Sequence, residues 1–212
     1  MSELPSAAPD IASAPAPGFW ANVRHALMGR HSDYTTLPLN RAVLLLAVPM
    51  VLEMSMESLF AVVDVFWVSH LGPDAVAVVG LTEAIMSLIY AVAIGISFSA
   101  TAIVSRRIGE KNPAQAAEAA GQIILLGVTL SALLGLVLGS FAPDLLRFMG
   151  ASESVVTLGT GFTRTMLGGN ATVFLIFLIN AVFRGAGDAV IAMRTLWLAN
   201  ALNILLGPCF IF

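Results

Sequence analysis

The chain has 212 residues, 58% of them hydrophobic and 11% charged, with 10 Lys and Arg against 13 Asp and Glu and a formal net charge of −3. A soluble domain carries about 25% charged residues, so most of this chain faces lipid or itself; without a Lys/Arg run it offers nucleic acid no phosphate-binding stripe, and that class of partner is excluded. One cysteine, Cys209, leaves no disulfide framework and no Cys/His zinc spacing, and is expected as a small core residue.

In chain order, residues 1–36 begin with "MSELPSAAPDIASAPAPG", rich in Ala, Pro and Ser. There is no basic start followed by an apolar core, so this is no secretory signal, and a disordered cytoplasmic tail is expected. Within it, "FWANVRHALMGRH" puts Phe19, Val23 and Leu27 on one helical face. An interfacial helix and a solvated irregular tail are equally compatible with that pattern.

Residues 37–212 are expected to form a partial amino-terminal transmembrane bundle. A hydrocarbon core about 30 Å thick needs roughly 20 apolar residues in a helix, and five such stretches follow. The first, about 42–69, is closed by "HLGPD", where Gly72 and Pro73 supply a turn. The second, about 75–105, has Glu83 near its start, where a solvated role is expected, and ends at "RRIGEKNP". The third, about 114–141, follows Pro113, a residue suited to a first helical turn. The fourth spans about 155–183, uncharged from Thr165 onward, and the fifth, about 190–212, is still apolar at Phe212. Such an end predicts a fragment, with further helices following. The fold class is therefore all-α integral membrane: five transmembrane helices of a presumed six-helix lobe. Basic residues set the orientation. Arg24, Arg30 and Arg41, then Arg106, Arg107 and Lys111, then Arg184 and Arg194 alternate with two poorer connections, which predicts a cytoplasmic amino terminus in a plasma or inner membrane.

The first crossing contains "VLEMSMESLFAVVDVFWV", with Glu53, Glu57 and Asp64. At about 100° per residue, Glu57 lies roughly 40° from Glu53 and Asp64 falls between them, so the three share one stripe some 16 Å long. A charged side chain at the bilayer centre costs about 3 kcal/mol or more, so the stripe must face a protein interior or a wet cavity. A carboxylate held there, able to bind and release a proton or sodium ion on either side, is what a coupled transporter needs. The bland alternative is that these acids pair with Arg or backbone donors and pin helices together. It has the smaller share for Asp64 and about an even share for Glu53 and Glu57, since Glu53 can reach the interface beside Arg41 and the loop arginines. Asn170, Asn180, Asn200 and Asn203 are expected chiefly in interhelical hydrogen bonds, with one or two left as cation ligands.

These residues resemble a known family. "PMVLEMSMESLFAVVDVFWVSHLGPDAVAVVGL" resembles the first helix, turn and second-helix start of the multidrug and toxic compound extrusion (MATE) transporters. "SRRIGEKNPAQA" is similar to their second cytoplasmic connection, "NAVFRGAGDAVIAMR" to the element between helices four and five, and "NILLGPCFIF" to the end of helix five. The resemblance implies a twelve-helix antiporter of two six-helix bundles around a central cavity, exporting small organic cations and amphipathic compounds in exchange for H+ or Na+. It implies no cofactor beyond the coupling ion, no catalysed reaction, and as partners the lipid bilayer and a missing carboxy-terminal lobe. It places Asp64 in the cation-coupling site, where Na+ is a possible ligand, with Asn180 and Asn203 as polar members of the same network. Two positions depart from the family pattern. Gly207 stands where many members carry Asp or Asn, and Phe162 where a Tyr is frequent. Either the network is rebuilt around Glu53 and Glu57 as auxiliary carboxylates, or coupling is altered. Two alternatives stay open: a related lipid-linked oligosaccharide flippase, expected to line its cavity with basic residues, and a non-transporting membrane fragment.

Overall fold

The computed structural model describes residues 19–28 and 37–211. The expected disordered tail therefore falls largely outside the described residues, at 1–18 and 29–36. Eight helices follow one another: α1 (Phe19–Met28), α2 (Leu39–Ser69), α3 (Pro73–Gly109), α4 (Pro113–Ser140), α5 (Ala142–Phe148), α6 (Glu153–Gly168), α7 (Ala171–Gly185) and α8 (Ala189–Ile211). Five spans are long and apolar enough to cross a membrane: α2, α3, α4, the α6–α7 pair and α8.

The helix ends follow from local chemistry. Gly72 adopts φ 101°, open to a residue without a Cβ, and Pro73 then starts α3. Asn112 caps α4 by accepting from the Gln115 backbone N–H at 3.1 Å, and Pro113 occupies the first turn. Ser152 caps α6 in the same way. Between α3 and α4, hydrogen bonds from Arg106 and then Arg107 hold the Glu110 carboxyl below the usual carboxylate range, and the two arginines also suit the negative end of α3.

Two features differ from the sequence expectation. The fourth crossing is two helices, because Gly168 and Gly169 contribute no side chains to hold the turn and the Asn170 carboxamide takes the Leu167 carbonyl at 2.6 Å. Asn170 thus bonds within its own segment instead of bridging helices. Cys209, expected in the core, is exposed near the end of α8.

The packing divides into a tight core and an attached pair. Helix α3 lies against α7, α6 and α4, and α4 also packs on α6 and α7. Ile85, Met86, Ile89 and Ala93 of α3 meet Ala142, Leu167 and Phe174 there. Close approach depends on glycines: Gly127 faces Leu178, Gly159 faces Val78, and Gly185 faces the Thr101 carbonyl. Two hydroxyl contacts add direction, a buried one from Thr82 to Thr163 at 2.8 Å and a half-buried one from Thr101 to the Ala181 carbonyl at 3.1 Å.

Helix α2 packs mainly on α8 and α1 and touches α3 far less. Arg194 of α8 donates to the Leu27 carbonyl of α1 at 3.0 Å. Pro49 lies inside α2 and removes the N–H that would have met the Leu45 carbonyl. Just beyond it, Trp197 Nε1 of α8 donates to the Leu52 carbonyl at 3.2 Å. The α2–α8 pair is tied to the core across the intervening seam by an ion pair. Arg184 Nη1 of α7 donates to Glu53 Oε1 at 3.1 Å and to Oε2 at 3.4 Å, with side-chain exposures of 19% and 10%.

Two stability outcomes follow. An alanine Cβ at 185 would lie 2.9 Å from the Thr101 carbonyl oxygen and 3.0 Å from Val104 Cβ, whereas one at 161 would meet nothing within 4 Å. Gly185→Ala should therefore lower stability by about 1–3 kcal/mol, read as the midpoint of thermal unfolding in detergent, and Gly161→Ala should not; equal midpoints would refute the packing argument. Removing one member of the buried ion pair, as Glu53→Gln or Arg184→Gln, should cost about 3 kcal/mol because the partner charge is stranded. The double change Glu53→Leu with Arg184→Met should recover most of that loss, and a purely additive result would mean the two side chains do not interact.

Candidate functional site

The seam between α2 and the core carries the acidic stripe. Glu53, Glu57 and Asp64 come from one face of α2, and residues of α7 and α3 meet that face at successive depths. At the base, Glu53 holds Arg184 of α7. One turn deeper, Asn180 of α7 is buried, four residues before Arg184 and on the same helical face. Glu57 lies within electrostatic reach of Tyr90 on α3. Higher still, Glu83 of α3 faces the Tyr90 side chain and lies within electrostatic reach of Asp64. The order is that of antiparallel neighbours: moving up α2 from Glu57 to Asp64 means moving back along α3 from Tyr90 to Glu83.

Helix α8 runs parallel to α2, because Trp197 meets Leu52 at the base and Gly207 approaches Trp67 near the top. Asn203 lies one turn before Gly207 and so near the depth of Asp64, and it is exposed. Asn200 is buried, and its Nδ2 is one of the buried polar atoms without a hydrogen-bond partner. A Cβ at 207 would come within 3.9 Å of Trp67 Cδ1, so this position is backed by the indole. Phe162 of α6 is partly exposed at 41% and stands away from the stripe, on the helix whose neighbours are α3, α4 and α5.

The structure thus brings Glu53 together with Arg184, an arrangement that pins helices, and brings Glu57 and Asp64 to a polar face of α3. Asp64 is half-buried and Glu57 exposed within this chain. Glu83, expected in a solvated position near the start of its helix, is exposed; it is the eleventh residue of the 37-residue α3 and lies within electrostatic reach of Asp64. Two participants went unnoticed in the sequence. Arg184 counted there only toward orientation, although its place one turn beyond Asn180 marks it as reaching the same face. Tyr90 stands seven residues from Glu83, two helical turns on the same side of α3, and that spacing was the available signal. Among the described residues no group of three or more His, Cys, Asp or Glu is arranged to hold a metal ion. The seam thus sets Glu57, Asp64 and Glu83 within electrostatic reach of Tyr90 or of one another.

Comparison with known proteins fits this geometry. The family model MatE matches residues 49–209. The chain is 28% identical over 172 residues to a probable multidrug resistance protein, YoeA, of Bacillus subtilis, covering 81% of this chain and 37% of that protein. It is 26% identical over 189 residues to an FAD transporter of Shewanella oneidensis, covering 89% and 40% respectively. Among solved structures, an outward-facing multidrug resistance MATE family transporter of the MOP superfamily superposes with a TM-score of 0.76 at 32% identity, covering 81% of this chain and 38% of that one. A MOP superfamily transporter from Pyrococcus furiosus gives 0.77 at 30% identity, covering 90% and 40%. The chain therefore spans about 40% of the length of the relatives it matches. With the family model matched from Pro49 of α2 to Cys209 of α8, and solved relatives sharing its helical arrangement, the chain belongs to the MatE family.

Proposed function

We propose that this chain forms the amino-terminal part of a secondary antiporter that extrudes cationic or amphipathic compounds in exchange for H+ or Na+. The observation that carries the reading is the acidic stripe of α2, on which half-buried Asp64 lies within electrostatic reach of Glu83 on α3. Two carboxylates within reach of each other hold a proton or a sodium ion more readily than either alone. Binding or loss of that cation changes the charge across the seam and biases how α2 packs against α3.

Asp64 is the principal cation carrier in this reading, with Asn180 and Asn203 as neutral oxygen donors at neighbouring depths. Glu57 is an auxiliary carboxylate. Glu53 is occupied by Arg184 and serves to position α2. An acidic seam favours a positively charged cargo, which separates this reading from transport of an anion such as the flavin nucleotide named for the Shewanella relative. It also separates it from a flippase for phosphate-linked oligosaccharides. A second lobe, contributed by further helices, would complete the central cavity.

The test uses cells or right-side-out membrane vesicles carrying the complete transporter, loaded with ethidium and energised by an imposed pH or sodium gradient. Asp64→Asn should reduce gradient-driven efflux to the leak rate while the protein inserts normally. Glu57→Gln should slow efflux without abolishing it. Full gradient-driven efflux by Asp64→Asn would remove that carboxylate from the mechanism.

A further inference from the structure

Away from the acidic seam, α4 and α6 enclose a cleft of about 620 Å³ lined by Gly135, Leu136, Gly139, Ser140, Arg164 and Gly168. Three of those six residues are glycines: Gly135 and Gly139 let α4 approach the α6 backbone closely, and Gly168 faces open space beside that contact. Arg164 is its one charged group. Its Nε donates to the Gly139 carbonyl at 3.3 Å near the end of α4. Among the described residues no carboxylate pairs with it; Asp144 and Glu153 are paired with Arg147. A guanidinium has five N–H donors, and those on its two terminal nitrogens remain for a ligand.

Depth identifies what that ligand is. Arg164 immediately precedes the uncharged run that starts at Thr165, and Arg184 closes the same span. The 19 residues between them, the end of α6 and most of α7 with the break at Gly168 and Gly169, span about 30 Å, the thickness of a hydrocarbon core. The apolar part of α4 likewise ends at Phe141, next to Gly139 and Ser140. Arg164 therefore lies at headgroup level. Below it, the trough beside Gly135 and Leu136 descends about one helical turn toward the acyl region.

The geometry points to a binding site for an anionic phospholipid, with its phosphodiester on the Arg164 guanidinium and an acyl chain in the trough between α4 and α6. Guanidinium matches phosphate through two parallel hydrogen bonds, and an apolar floor suits a lipid where it would repel free phosphate. A zwitterionic lipid presents the same phosphate together with an ammonium that the lone arginine does not complement. The site rests on the membrane-spanning fold alone and is independent of any transport cycle.

The purified chain, exchanged into mixed micelles of phosphatidylglycerol and phosphatidylcholine, would be examined by native mass spectrometry for retained lipid. The wild-type chain should retain phosphatidylglycerol selectively, and added inorganic phosphate should not displace it. Arg164→Gln should reduce that retention about tenfold, the effect of losing one charge-assisted hydrogen-bonded contact. Arg164→Lys should keep part of it, and Arg147→Gln, whose side chain is outside the cleft, should keep all of it. Equal retention of the two lipids by the wild-type chain would overturn the proposal, as would unchanged retention in Arg164→Gln or ready displacement by inorganic phosphate. Should Arg164→Gln fail to fold, the wild-type selectivity and the Arg164→Lys result decide the matter.

Discussion

The cost of exposing charge to hydrocarbon governs this structure. Glu53, Glu57 and Asp64 occupy one stripe of a helix whose other faces are apolar, so α2 has a single rotation that keeps all three from lipid. That rotation turns the stripe toward α3 and α7. Glu53 is then buried deeply enough to require a cation, and Arg184 at the end of α7 supplies it. A buried ion pair of this kind contributes little net stability, since desolvation offsets the attraction. Its effect is on geometry: carboxylate and guanidinium must stay within hydrogen-bonding distance, which sets the height of α2 relative to α7.

Elsewhere the helices are held by contact instead of charge. In the α3, α4, α6 and α7 core, glycines at 127, 159 and 185 let neighbouring chains approach until Leu178, Val78 and the Thr101 carbonyl leave no room for a Cβ. Without a hydrophobic force between helices in lipid, such shape matching is what drives association. Helix α2 lacks this kind of packing against α3. It is joined to α8 along its length and to the core through the Glu53–Arg184 ion pair and a lighter contact with α3, with Pro49 interrupting its hydrogen-bond ladder a turn before that anchor. The molecule thus combines a rigid four-element body with a more weakly attached pair, and the polar groups lie on the boundary between them.

Much of this was legible in the sequence, because bilayer thickness and helical periodicity are severe constraints. Apolar length gave the crossings, Pro73 and Pro113 began helices where punctuation predicted, and the 100° advance per residue put the three acids on one face. The break at Gly168 and Gly169 was not legible, since the apolar run continues through it and only the local bond of Asn170 reveals it. The identity of the helices meeting the stripe was equally hidden. Pairing of Glu53 with Arg184 joins residues 131 apart, and periodicity within one helix carries no information about such a partner. Cys209 misled for a related reason: an apolar run in a membrane protein marks lipid-facing surface as readily as core.

Gly207 and Glu83 are best understood together. Position 207 lies beside Trp67, one turn above Asp64 on α2, and a Cβ there would stand in ordinary van der Waals contact with the indole. Asp64 has a second acid within electrostatic reach, because Glu83 approaches it from α3, on the opposite flank of the stripe. The pairing therefore runs between α2 and α3, which touch far less than α2 and α8 do, so a charge change at Asp64 falls on the more lightly packed flank of α2.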